Sequence, residues 1–157
     1  MPHIDTTSVI QQVFPYLIIR DVPAAIEFYK RVFNAEEMMR LAEPSGRIGH
    51  AELKLGVAMV MLAEEFPERG ILSPLSYGGS GSFLHLHVAN VDEITQTAAN
   101  VGAKILAEPK TQFYGERSSK VQDPFGHIWM LGQHIEEVTP EEMQRRYSEL
   151  LSKSSKE

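Results

Sequence analysis

The chain has 157 residues, 43% apolar and 23% charged, and its 15 Lys and Arg against 21 Asp and Glu give a formal net charge of −6. This is the composition of a globular domain with a real core, and an acidic chain whose few basic residues are scattered is a poor reader of nucleic-acid phosphates. The absence of cysteine excludes disulfides, thiolate nucleophiles and Cys-based zinc or iron–sulfur sites. The longest apolar run, residues 57–63, is far short of the roughly 20 residues of a spanning helix. Residues 1–5 show no charged stretch followed by an apolar one, so the expected compartment is the cytoplasm, with no membrane partner.

In chain order, residues 11–20 contain the β-branched and aromatic run of a strand beginning near Pro15. Asp21 then caps a helix whose apolar stripe is Val22, Ala25, Ile26, Tyr29, Val32 and Phe33, and Asn34 stops it. Strands follow at 37–42, 47–55 and 57–64. Residues 66–81, broken by Pro67, Gly70, Pro74, Gly78, Gly79 and Gly81, read as a linker. The same order then returns: a strand at 82–88, a helix capped by Asn90 and stopped by Gly102, and strands at 104–107, 117–122 and 127–134. Thr139-Pro140-Glu141-Glu142 opens a last helix, 139–153, with a capping box and proline at its first turn, and residues 152–157 are expected to fray.

Phe14 and Phe83, Leu17 and Leu86, Asp21 and Asn90, Val22 and Val91, and Val32 and Val101 all stand 69 positions apart. Cap, stripe and stop therefore repeat together, which implies tandem βαβββ modules at 11–65 and 82–135. The expected fold is α+β: two modules forming curved mixed sheets around a cleft, plus a C-terminal helix.

The tandem modules, the Ile19-Arg20-Asp21-Val22 strand end before a helix with its Phe28-Tyr29 pair, and Asp123-Pro124-Phe125-Gly126-His127 before the last strand resemble the vicinal oxygen chelate superfamily. That superfamily includes glyoxalase I, bleomycin-resistance proteins, fosfomycin-resistance enzymes and extradiol dioxygenases. The stretch from Tyr114-Gly115-Glu116-Arg117 to Thr139-Pro140-Glu141-Glu142 is most similar to its PhnB-like branch. In the metal-using members each module supplies one ligand from its first strand, seven residues before the helix cap, and a Glu from its last strand. The corresponding residues here are Phe14 and Met61, then Phe83 and Met130. None is a ligand for a hard divalent metal, so the resemblance leads to an expectation of no metal and no cofactor at an apolar floor. It also implies a small-molecule partner and a homodimer.

Strand alternation places His85 and His87 on the face of Phe83, Tyr16 on that of Phe14, and His50, Glu52 and Lys54 together. The expected ligand-binding set is Phe14, Tyr16, His50, Glu52, Met61, Phe83, His85, His87, Tyr114 and Met130, mostly apolar with a few converging polar groups. Phe113-Tyr114 reads either as an aromatic lid or as a local plug. His85-x-His87 is also a metal motif, which would need His50 or Glu52 as a third ligand, and Glu52 beside either histidine could transfer protons. Glu52, His85 and His87 are thus the catalytic candidates. Asp123 is expected to bond backbone, and Trp129 to face away from Met130. Residues 78–82 lack the geometry of a nucleophile elbow, and no glycine-rich phosphate loop precedes a helix. The first functional expectation is a metal-free binder of an apolar or cationic molecule, of sequestration or resistance type, indifferent to chelators. The alternative is a lyase, isomerase or dioxygenase-like enzyme with a relocated His metal site or Glu/His acid–base chemistry. A third is an assembly role with a vestigial pocket.

Overall fold

A computed structural model describes residues 7–155, so the reading of residues 1–5 falls outside the described residues. The chain divides between Tyr77 and Gly78 into two compact units. Each contains a four-stranded sheet with one helix packed against it.

In the first unit β1 (Tyr16–Ile19) leads into α1 (Val22–Phe33). The Asp21 carboxylate accepts from Ala24 N at 3.1 Å, and Asn34 ends the helix in the left-handed conformation at φ 54°. Val22, Ala25, Ile26, Tyr29 and Val32 are buried as its stripe requires. β2 (Glu36–Ala42), β3 (Ile48–Leu55) and β4 (Ala58–Glu64) then run antiparallel, and β1 closes on β4 in parallel to give the order β1-β4-β3-β2. Ala51, Leu53, Leu55, Val60 and Leu62 are buried. Their alternates Tyr16, His50, Glu52 and Met61 lie on the other face.

The expected structureless linker is partly built. Residues 67–69 form a 3₁₀ turn and α2 (Pro74–Tyr77) is a single helical turn. Its anchor is Glu65, which accepts from Ser73 N at 2.8 Å and from the hydroxyls of Ser73 and Ser76. These donors, with Arg20 beside them, hold the Glu65 carboxyl down to about 2. Proline and glycine punctuation hid a turn whose stability comes from one carboxylate.

The second unit repeats the plan. β5 (Phe83–His87) leads into α3 (Val91–Asn100), followed by β6 (Lys104–Thr111), β7 (Glu116–Gln122) and β8 (Ile128–His134), in the order β5-β8-β7-β6. The Asn90 side chain caps α3 through Glu93 N at 3.1 Å. The repeat extends to a feature that links strand to helix: Glu64 Oε1 accepts from Val22 N at 3.2 Å, and Gln133 Oε1 accepts from Val91 N at 2.9 Å. β6 runs to Thr111, past Pro109, where the pattern had ended it at residue 107. Pro109 is tolerated because β6 is an edge strand.

Trp129 and Leu131 face α3, at 1% and 0% exposure. Asp123 organises the turn before β8, accepting from Phe125 N, His127 N and the Trp129 indole N–H at 2.9–3.0 Å. α4 (Pro140–Ser154) is capped by the Thr139 hydroxyl, and residues 152–154, expected to fray, are helical. It contacts its own unit: Tyr147 stacks on Phe113 at 5.5 Å, and Arg146 bonds the Phe113 carbonyl and Glu136. None of the helices in the described residues is long and apolar enough to cross a membrane.

Candidate functional site

The sheet face opposite the helix carries the polar candidates in each unit. On the first, Tyr16, Met61 and Glu52 form one ladder row. Tyr16 Oη lies 2.8 Å from His50 Nδ1, and His50 Nε2 lies 3.1 Å from Glu52 Oε1. With the Nε2 proton directed to Glu52, Nδ1 accepts from the Tyr16 hydroxyl, and the three form a continuous hydrogen-bonded chain ending on an exposed phenol. Phe14 stands just before β1, more than a third exposed.

On the second sheet one row holds Phe83, Ile128 and Gln122, the next His85, Met130 and Lys120, and the next His87, Gly132 and Ser118. Phe83 is 53% exposed, and the Lys120 ammonium sits 4.3 Å from its ring centre. Beyond the row of Gly132, Glu116 stands opposite His134 at the start of β7. Its carboxylate approaches His85 Nε2 at 3.7 Å and His87 Nδ1 at 3.6 Å. Within the second unit the carboxylate beside the two histidines is Glu116, and within the first Glu52 bonds His50.

Local backbone explains how Glu116 gets there. Gly115 has φ 88°, and its carbonyl accepts from Ile135 N and Glu136 N, a conformation that favours glycine and turns the chain into β7. Arg117, on the opposite face, makes a two-pronged pair with Asp92 of α3 at 2.7 and 2.8 Å, which lowers the Asp92 pKa and leaves the Glu116 charge unneutralised by it. Gly132 leaves space: a Cβ there would stand 2.8 Å from Glu116 Oε2 and 2.9 Å from His85 Nε2.

Sequence reasoning missed Glu116 because β7 was started one residue late. Period-two alternation back from Lys120 and Ser118 would have placed it on the same face. Phe113 stacks on Tyr147 and its carbonyl accepts from Arg146, and the Tyr114 hydroxyl lies 3.2 Å from Ser118 Oγ. A groove of about 430 Å³ in the first unit is lined by Arg20, Gly46, Arg47, Glu64, Glu65 and Pro67. Its arginines are paired, Arg20 with Glu65 and Arg47 with Glu43 and Glu68, and the Glu64 carboxylate accepts from the backbone amides of Val22 and Ile48.

Phe14, Met61, Phe83 and Met130 provide two rings and two thioethers, which do not fit the nitrogen and oxygen donors required by a divalent metal at those four positions. An uncharacterized protein of Mycobacterium bovis is 38% identical over 137 residues, covering 85% of this chain and 90% of that relative. Among solved structures, the fosfomycin resistance protein FosX of Listeria monocytogenes matches with a TM-score of 0.66 at 18% identity, covering 87% of this chain and 99% of that one. TioX of a Micromonospora species matches with a TM-score of 0.58 at 26% identity, covering 82% and 99%. A family model described as the glyoxalase/bleomycin resistance protein/dioxygenase superfamily matches residues 3–131, and the chain belongs to that superfamily.

Proposed function

We propose that the chain binds a small organic molecule, apolar or cationic, on these sheet faces, in the manner of a sequestering or resistance protein. The observation that carries the reading is the exposure of Phe14, Tyr16 and Phe83, three aromatic rings standing near Met61 and Met130 on the sheet faces that also carry the histidines and carboxylates. Exposed rings over thioethers offer dispersion and cation–π attraction, and Glu52 and Glu116 add negative charge nearby. Assignment to the PhnB-like branch and a homodimeric state belong to the same proposal. Exposed Tyr147, Leu150 and Leu151 on α4 supply apolar surface for such pairing.

A thermal-shift screen of aromatic cations against their neutral isosteres tests it. A hit should raise the melting temperature saturably and lose at least about tenfold in affinity in Phe83→Ser or Phe14→Ser with the fold intact. Hits indifferent to both changes would refute the proposed location.

The Tyr16–His50–Glu52 chain favours a second reading, acid–base catalysis with the Tyr16 oxygen at the reacting end. In that reading Glu52→Gln lowers turnover and shifts its pH profile without weakening substrate binding, and Tyr16→Phe abolishes turnover.

A further inference from the structure

We propose that His85, His87 and Glu116 form a site for one divalent cation of borderline softness, such as Zn2+, Co2+ or Ni2+, displaced along the second sheet from the positions used by metal-binding relatives. The expectation of a metal-free chain rested on Phe14, Met61, Phe83 and Met130, and none of those residues takes part here. Two imidazole nitrogens and one carboxylate converge so that one donor atom from each lies within 4.8 Å of the others. That donor set suits nitrogen-accepting cations, whereas Mg2+ and Ca2+ call for more oxygen.

The spacing is informative. His50 and Glu52 meet at 3.1 Å as a hydrogen bond, but Glu116 stands 3.7 and 3.6 Å from its two histidines, too far to be bonded to either. Ligands held at about 2.1 Å around a tetrahedral zinc lie ~3.4 Å from one another, so a cation would draw inward donors that now stand within 4.8 Å of one another. His87, with 69% of its side chain exposed, is free to make most of it.

A second observation is independent of those distances. β8 runs between β5 and β7, and at the row where the three donors converge it carries Gly132. Gly132 is not among the glycines with positive φ, so its backbone does not demand glycine. A methyl group there would instead crowd Glu116 Oε2 and His85 Nε2. The strand thus omits its side chain where the donors need room. The exposed side of the triad leaves further coordination positions to solvent or to a bound molecule.

The test uses the untagged full chain, stripped with a chelator and dialysed, and titrated with Zn2+ or Co2+ alone. Calorimetry should give one equivalent per chain, the melting temperature should rise, and Co2+ should develop visible absorption. His87→Ala and Glu116→Gln should each weaken binding by at least about tenfold, and Gly132→Ala, which keeps every donor, should weaken it several-fold. His50→Ala, in the other unit, should leave it unchanged. Absence of saturable binding, survival of binding in both His87→Ala and Glu116→Gln, or loss of it in His50→Ala would overturn the site. If a variant fails to fold, histidine resonances of the wild-type chain decide, since Zn2+ must perturb His85 and His87 ahead of His50, His127 and His134. No organic ligand enters these measurements, so this proposal and the small-molecule reading stand or fall separately.

Discussion

On the first sheet the row Tyr16, Met61, Glu52 is tied together through His50, while on the second the equivalent row reads His85, Met130, Lys120. One row on, Ile18 and Ala63 of the first unit become His87 and Gly132 of the second. Four residues before Glu52 the β3 strand has Ile48, buried, and four before Lys120 the β7 strand has Glu116, only partly buried. The same ladder thus presents a polar cluster satisfied by its own hydrogen bonds and another whose members approach without bonding. A cluster closed by its own hydrogen bonds can move a proton along itself, whereas one whose members stand beyond hydrogen-bond distance keeps its lone pairs open to an external partner.

The helix-facing sides differ too, and substitutions there should widen or close the gap between modules. Trp129 and Val60 occupy equivalent buried positions. Trp129→Ala should destabilise the second module by about 3–5 kcal/mol, and Val60→Ala the first by about 1–3 kcal/mol, in urea unfolding followed by module-resolved hydrogen exchange. Equal losses would mean that the large ring contributes no more than the small side chain. Asp123, which has no counterpart in the shorter turn at Gly56, bonds two backbone amides and the Trp129 indole. Asp123→Ala should cost about 2–4 kcal/mol by leaving those donors unmatched, measured in the same way.

Acid provides a third probe. Glu65 of the first module titrates near 2, below its ordinary value of 4.5, while position 134 in the second is histidine. Because the folded value is the lower one, the stabilisation is complete above about 4.5 and is lost as pH falls toward 2. Glu65→Gln should therefore lower stability at neutral pH by roughly 1–3 kcal/mol, and the difference from wild type should vanish near pH 2. A constant difference in melting temperature across that range would show that the Ser73 and Ser76 contacts do not depend on ionisation. The smallest effect concerns the strand-to-helix ties: Gln133→Ala should cost about 1 kcal/mol, and Glu64→Ala somewhat more, because Glu64 also accepts from Ile48 N.

Much of this comparison was legible in the residues themselves. The 69-residue spacing located both helices because caps and apolar stripes are local signals, and Trp129 and Asp123 followed from alternation and turn chemistry. Pairing across strands was harder to see. The Tyr16–His50 bond depends on β1 and β3 both registering against β4, and the approach of Glu116 to His85 depends on β7 and β5 both registering against β8. Register over two ladders is a tertiary property, and a one-residue error at the start of a strand is enough to hide a donor. Gly132 carried a signal of its own, since glycine inside a strand marks a close approach, but what approaches is visible only in three dimensions.

The parallel pairing of β1 with β4, and of β5 with β8, also governs how the chain comes to be folded. During synthesis Tyr16 cannot meet Met61, nor His85 meet Met130, until the whole intervening helix and hairpin have emerged, so the first strand of each module waits for the last. Contacts so distant in sequence slow folding and leave an unpaired strand edge in any fragment that stops short of them. The smallest piece worth expressing by itself is consequently a whole module, and a truncation inside β4 or β8 should give an aggregating product, not half a fold.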